Sequence, residues 1–366
     1  MNRRSFMQGS LGAALFFTLG GCASADTAAQ ADEGIADDSD QSAEAVTSDN
    51  ATELETVGGD STPVEQHGAL SVHDGQLVDA FGAAFQLRGV STHGLSWFPE
   101  FVTEVGFRTL RDDWSANCVR LSLYPDEEGG YCTGGDQGQL KQLIKNGVAY
   151  AEHLGMYVVI DWHVLGEQDP QVHQDAAIEF FAEMSAEFAG SPNVLYEVCN
   201  EPNGDTSWEH VTDYANAVIP TIRANAPDAV VIVGTPTWSQ DIDDAQAAPL
   251  DFENLLYAVH FYAASHGQWL RDRVEEALNA KLPVIVSEFG MCDASGDGAN
   301  DYEESEAWLD FLDEHDVSYI VWALADKDET ADLVAAGSGV TSDWAPDQLS
   351  DSGRWIREQY RTRSEK

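Results

Sequence analysis

Basic residues are scarce in this chain: 18 lysines and arginines stand against 64 aspartates and glutamates, for a formal net charge of −46 at pH 7. Self-repulsion at that charge opposes docking on nucleic acid or on an anionic lipid surface, so neither is an expected partner. Cysteines number five and form no CxxC pair and no Cys/His spacing of a zinc site. Cys118 and Cys199 sit inside apolar runs and read as small core residues. Cys132 and Cys292 lie in loop-like sequence; they can pair in an oxidising compartment, but their spacing does not decide it. No HExxH or HxH pattern is present, which leaves a metal site from Asp161, His163 and His260 a weak rival. Neither a metal nor a cofactor is expected.

Apolar runs long enough to cross a bilayer are also missing. The segment 11–19 is apolar but short, and it follows Arg3-Arg4-Ser5-Phe6-Met7-Gln8, a twin-arginine pattern. It leads into Leu19-Gly20-Gly21-Cys22, which resembles a prokaryotic lipobox. Residues 1–22 are therefore expected to direct export by the twin-arginine route, with cleavage before Cys22 and lipidation of that cysteine. A cleaved signal and free secretion is the alternative. Residues 23–66 contain no aromatic side chain, lysine or arginine, and 12 acids fall between Asp26 and Glu65. Such a segment buries too little apolar surface to order itself and reads as a disordered acidic linker. Residues 67–366 remain as a single domain, expected to be monomeric, with 16 bases against 52 acids. A surface of this sign suits high salt, which screens the repulsion.

What is present past residue 80 is a repeating pattern. Short apolar runs cover residues 85–90, 118–124, 157–162, 194–198, 229–234, 255–261, 284–287 and 319–324. They are continuous rather than alternating in polarity, as expected of strands buried on both faces. Stretches with helical periodicity separate them, among them 140–153, 176–188, 211–225, 269–278 and 303–315. Eight strands each followed by a helix predict an α/β fold, the (β/α)8 TIM barrel. A doubly wound open sheet is the alternative, but no Gly-rich phosphate loop follows the first run.

A barrel collects its chemistry at the carboxyl ends of its strands. The eight runs end at or continue into Ser91-Thr92-His93, Arg120 with Tyr124, His163, Asn200-Glu201, Trp238, His260 with Tyr262, Glu288, and Trp322. Two of these groups are glutamates, and a carboxylate at the end of an apolar strand is costly to desolvate. Two on different strands that face one cleft form the machinery of glycoside hydrolysis. Among ten tryptophans, Trp97, Trp238 and Trp322 follow strand ends, where flat rings stack on pyranose faces. Trp162, Trp308 and Trp355 read as packing.

Leu87-Arg88-Gly89-Val90-Ser91-Thr92-His93-Gly94, Asp161-Trp162-His163, Asn200-Glu201-Pro202-Asn203-Gly204, Ala258-Val259-His260-Phe261-Tyr262, Ser287-Glu288-Phe289-Gly290 and Trp322-Ala323-Leu324-Ala325-Asp326-Lys327 together resemble glycoside hydrolase family 5, in its bacterial endoglucanase branch. The resemblance runs from about Glu65 to Arg361. It implies that Glu201 is the general acid/base and Glu288 the nucleophile of a retaining reaction. Arg120 would lower the pKa of Glu288, and Tyr262 would donate to the same carboxylate. The charge of Glu288 would raise the pKa of Glu201 until the glycosyl bond forms. Asn200 would bind the sugar 2-hydroxyl, and His93, His163 and His260 would line the cleft with Tyr124. Lys327 and Glu329 match positions that bind sugar hydroxyls, although Lys-x-Glu in a loop also suits a surface ion pair. The expected activity is an endo-β-1,4-glucanase. Mannanase, mixed-linkage glucanase and xyloglucanase are alternatives within the same chemistry, and a noncatalytic glycan-binding lipoprotein is one outside it. No carbohydrate-binding module is expected after the last helix, so soluble or amorphous β-1,4-glucan is the expected substrate.

Overall fold

The computed structural model describes residues 61–364. The export signal, Cys22 and nearly all of the acidic linker lie outside the described residues. A helix, α1 (Pro63–His67), spans the boundary expected between linker and domain. Thr62 and Glu65 form a capping box, in which each side chain bonds the other's backbone N–H. A two-stranded hairpin follows, β1 (Ser71–His73) and β2 (Gln76–Val78).

Eight parallel strands then close into a barrel. They are β3 (Arg88–Thr92), β4 (Cys118–Leu123), β5 (Tyr157–Trp162), β6 (Val194–Glu197), β7 (Val231–Val233), β8 (Leu255–Tyr262), β9 (Val284–Gly290) and β10 (Tyr319–Leu324). The ring closes where β10 pairs with β3. All eight predicted runs appear. The first is displaced, since 85–87 is not in the ring: the Phe85 N–H bonds Leu77 O of the hairpin, and the Leu87 N–H bonds the Ser318 hydroxyl. The fifth shrinks to three residues, and its last predicted residue, Gly234, bonds back to Cys199 O.

Helices α2 (Glu104–Asp112), α3 (Gln137–Leu154), α4 (Gln174–Glu187), α5 (Trp208–Asn225), the short α6 (Pro236–Ser239) and α7 (Ile242–Ala247), then α8 (Gln268–Asn279), α9 (Tyr302–Glu314) and α10 (Asp351–Ser364) follow the strands. Their starts are chemically marked. Thr103, Asp136, Ser207 and Asp301 each accept a bond from a first-turn N–H, worth about 1 kcal/mol per cap. Each helix buries one stripe on the barrel; Phe107 and Leu110 of α2 are fully enclosed, and such burial contributes about 1.5–3 kcal/mol per side chain.

Alternate residues of every strand face the barrel interior. Val158 and Ile160 of β5 pack outward under the helices, while Tyr157 and Val159 join Leu195, Ile232, Leu256, Ile285 and Ile320 inside. Leu70, Leu77, Phe85 and Leu87 belong to that inner cluster, so the amino end of the barrel is closed by apolar packing. Further along the same inward face the side chains become Arg120 and Ser122 on β4, Asp161 on β5, Glu197 on β6 and His260 on β8. All five are buried.

Candidate active site

Arg120 is the centre of the polar layer. Its guanidinium has no exposed surface and, besides Ser91 and Ser122, meets four side chains from three other strands or their extensions. Nε donates to Glu197 Oε2 at 2.7 Å, Nη1 to Glu288 Oε2 at 3.3 Å, and Nη2 to Asn200 Oδ1 at 2.6 Å. Asp161 Oδ2 lies 3.1 Å from Nη2. Burial alone would lower the arginine pKa, but Asp161, Glu197 and Glu288 outweigh it and fix the positive charge.

Glu288 sits on β9 in register with His260 on β8. Tyr262 donates its phenol hydrogen to Glu288 Oε1 at 2.9 Å. Gly290 makes room for that ring: a Cβ there would lie 2.5 Å from a Tyr262 ring carbon. Burial raises the Glu288 carboxyl above its ordinary value and the charge of Glu201 adds to this, while His260, Arg120 and His163 pull it back. Arg120 thus acts in the expected direction but does not win. Burial, followed by the charges of Glu288 and Glu201, also holds the Tyr262 phenol well above its usual range, so the ring remains a donor.

Glu201 lies beyond the end of β6, where the chain continues as if it were a strand. The Asn200 N–H bonds Trp162 O at 3.2 Å, and the Glu201 N–H bonds Val164 O at 3.0 Å. Asn203 pins the turn through bonds from Nδ2 to Leu165 O and Glu201 O, both 2.8 Å. Gly234 allows close approach on the other side, since a Cβ would meet Cys199 O at 2.3 Å. Glu201 Oε1 is 3.0 Å from His260 Nδ1. One ligand atom each from Glu201, His260 and Glu288 lie within 4.8 Å of one another. That spacing suits direct attack by one carboxylate rather than the roughly 6.5–9.5 Å gap that holds a water in inverting enzymes.

The remaining predicted residues fall into two groups. Rings build one wall: Trp97 lies 4.7 Å from Tyr124, Tyr124 4.1 Å from His163, His163 5.0 Å from Trp322, and Trp322 5.1 Å from His93. Trp97 is 37% exposed, which leaves it a free surface for stacking. Burial, helped by Lys327 and His163, pushes the His93 imidazole down to about 3; burial likewise holds His163 well below its usual range. Across from that wall, Trp238 is half-buried on three successive left-handed residues, Thr237, Trp238 and Ser239. Such backbone costs about 1–3 kcal/mol per residue. It is held by Trp238 N–H to Pro202 O at 3.0 Å and Ser239 Oγ to Asn200 O at 2.7 Å.

Three placements add detail that the sequence left open. Asn200 commits Oδ1 to Arg120 and Nδ2 to His163 Nε2 and Val164 O, so contact with a sugar requires one of these bonds to give way. Lys327 and Glu329 pair with one another, and Lys327 also acts on His93. The four described cysteines are free thiols, including Cys132 and Cys292. Trp162 and Trp308 are fully buried, as packing residues should be, and Trp355 is partly so.

Sequence reasoning passed over Glu197 and Ser287, both fully buried beside Arg120 and His260. The signal was available in parity, because Glu197 shares the inward face with Leu195. It also passed over Asp293, Ser295, Asp297, Gly298 and Glu304, whose spacing follows a calcium-loop pattern. Here Asp293 Oδ1 accepts from the Ser295 N–H, Asp297 Oδ1 from the Thr330 N–H, and Glu304 pairs with Arg271. Those side chains are engaged within the loop, by the Thr330 backbone and by Arg271 of α8.

A family model for cellulase, glycosyl hydrolase family 5, matches residues 78–328. Endoglucanase N of Pectobacterium atrosepticum is 46% identical over 302 residues, covering 82% of this chain and 67% of that protein. Endoglucanase 5 of Pectobacterium carotovorum subsp. carotovorum is 45% identical over 302 residues, covering 82% of this chain and 59% of that protein. The chain therefore spans only part of the length of both. The catalytic domain of Thermobifida fusca endoglucanase Cel5A, solved in complex with cellotetraose, superposes with a TM-score of 0.79 at 37% identity, covering 82% of this chain and all of that one. With a matched family model over more than half its length and relatives at this identity, the chain belongs to the cellulases of glycosyl hydrolase family 5 and is a glycoside hydrolase.

Proposed function

We propose that this glycoside hydrolase is a retaining endo-β-1,4-glucanase that cleaves internal bonds of cellulose-type polysaccharides. The observation that carries this reading is the close Glu201–Glu288 pair, whose two members have unlike environments. Glu288 accepts from Arg120 and Tyr262, two donors that favour its ionised form, and it attacks the anomeric carbon. Glu201 gives its proton to the departing glycosidic oxygen. The glycosyl–Glu288 ester is then hydrolysed by a water whose proton Glu201 takes, returning both carboxyls to their starting states. Neutral His163 and His93 orient hydroxyls without adding positive charge to the cleft. Trp97, Trp238 and Trp322 offer the apolar faces on which successive glucose rings stack.

The choice of β-1,4-glucan is supported by the names of the relatives and by the cellotetraose bound to the Thermobifida domain. Hydrolysis of carboxymethylcellulose, β-mannan, xyloglucan and mixed-linkage β-glucan tests it. A rapid fall in carboxymethylcellulose viscosity is expected. High rates on mannan with negligible rates on carboxymethylcellulose would reassign the substrate. For the amino-terminal segment, we propose twin-arginine export and lipidation at Cys22, supported by Arg3-Arg4 and the run into Cys22. Metabolic lipid labelling should mark the wild type and not Cys22→Ala; label retained by the variant would rule the anchor out.

A further inference from the structure

An unbroken line of hydrogen bonds leads from Glu201 to a carboxylate that has no part in the double displacement. Glu201 Oε1 lies 3.0 Å from His260 Nδ1, and His260 Nε2 lies 2.9 Å from Ser287 Oγ. Ser287 Oγ donates to Glu197 Oε1 at 2.7 Å, and Glu197 Oε2 accepts from Arg120 Nε at 2.7 Å. Glu197, Ser287 and Arg120 are fully buried and His260 is 2% exposed, so bulk water does not substitute along the line.

The chemistry of the donors fixes its direction. Arginine does not give up its proton, so Nε donates to Glu197 Oε2; burial pushes this carboxyl up, and the adjoining Arg120 charge opposes that push and favours the ionised form, which accepts at Oε1 as well. The single hydrogen of the Ser287 hydroxyl goes to Glu197, so its oxygen must accept from His260 Nε2–H. A neutral imidazole carries one ring hydrogen, which leaves Nδ1 bare. The hydrogen in the contact between Nδ1 and Glu201 must then come from Glu201. Burial keeps the imidazole neutral by pushing its pKa down to about 4, against the opposing pull of Glu288 and Glu197.

We propose that Glu197, acting through Ser287 and the His260 tautomer, is a positioning residue that keeps the catalytic proton on Glu201. This rests on the reading of Glu201 as the acid/base. The same arrangement serves both steps. Once Glu201 has protonated the leaving group, its bare oxygen faces the Nδ1 lone pair, and that repulsion favours recapture of a proton from the attacking water. The opposite polarity, with Nδ1–H donating to an ionised Glu201, would disarm the acid. The charged and titratable groups around the line are Arg120 and Asp161 beside Glu197, Glu288, Arg120 and His163 around His260, and Glu288, Tyr124 and Tyr262 around Glu201.

Ser287→Ala removes the acceptor of Nε2–H and frees the imidazole to change tautomer. The alkaline limb of kcat/KM on cello-oligosaccharides is expected to move down by about one pH unit or more. At neutral pH kcat should fall about tenfold or more with KM within about twofold, inside the range assigned to general acid catalysis. Dinitrophenyl β-cellobioside needs no proton on its leaving group, so its glycosylation rate should fall less than about threefold. Ser287→Thr, which keeps a hydroxyl, should restore the limb, and Glu197→Gln should shift it as Ser287→Ala does. Equal losses on both substrates with an unmoved limb would overturn the proposal. The tautomer is also readable in the unaltered full chain from the ring-nitrogen shifts of His260 in nitrogen-15 NMR. A bare Nδ1 at neutral pH is expected, and a hydrogen on Nδ1 would refute the relay whether or not the variants fold. Absence of any glucanase activity in the wild type would instead remove the functional reading and leave the tautomer measurement standing.

Discussion

The two ends of the same eight strands solve opposite problems. At the amino end the inward side chains are Leu195, Ile232, Leu256, Ile285 and Ile320, closed by Leu70, Leu77 and Phe85. At the carboxyl end the same face presents Arg120, Asp161, Glu197, His260 and Glu288, nearly as dry. The first layer gains stability by leaving water. The second loses hydration and recovers only part of it through Arg120. Catalysis requires that loss, because carboxyls in water have neither the proximity nor the altered affinities for protons that double displacement uses. The amino end can be read as the ballast that allows the carboxyl end to be strained.

Glu288→Gln should separate the ends most strongly. Activity on carboxymethylcellulose is expected to fall by about four orders of magnitude or more, equivalent to roughly 5 kcal/mol of barrier. Its melting temperature should stay level or rise, since a buried charge is removed; a large drop in melting temperature would mean that Glu288 supports the fold. Arg120→Met should damage both properties. Three buried carboxylates lose their shared partner, and the stability loss should be about 3–5 kcal/mol near neutral pH. Urea unfolding at several pH values checks the cause: the deficit should shrink in acid, where those carboxyls are protonated.

Ile232→Ala makes the reciprocal cut at the amino end. It should lose about 2–5 kcal/mol to the cavity it leaves, with kcat/KM of the folded enzyme within about twofold of wild type. A far larger kinetic loss would show that the two layers are not separable. Asp332→Asn should have the smallest effect on activity. Asp332 is fully buried beyond β10, and burial, with Glu329 adding and Lys327 opposing, pushes its carboxyl up to about 8. Its folded pKa exceeds the unfolded value, so the folded state holds the extra proton and wild-type stability is lost as pH rises from about 4 through about 8. The variant should match the wild type near pH 4 and become progressively more stable than it as pH rises towards about 8, with an upper limit of ~5 kcal/mol. A constant difference across that window would rule out titration as the cause.

The barrel was legible because strands buried on both faces read as uninterrupted apolar runs, and eight of them stood in order. Their carboxyl ends were legible because Glu201 and Glu288 stand where such a run stops. What lay inside the runs was harder to see. Glu197 interrupts an apolar stretch by one residue, and only the parity that puts it on the face of Leu195 marks it as part of the site. Ser287 looks like an ordinary small strand residue until His260 is found beside it. The pairing of Lys327 with Glu329 stood in the sequence as one of two open readings, and the fold of the loop is what brings the two side chains together. The commitment of Asn200 to Arg120 and His163 likewise depends on three strands meeting.

The measurement closest to the central claim is the stereochemistry of the first product. Proton NMR of cellopentaose during the first minutes of hydrolysis reads the new reducing end before it mutarotates. A close Glu201–Glu288 pair acting by double displacement predicts that the β-anomer appears first. Initial release of the α-anomer would mean single displacement by water and would contradict the roles assigned to both glutamates.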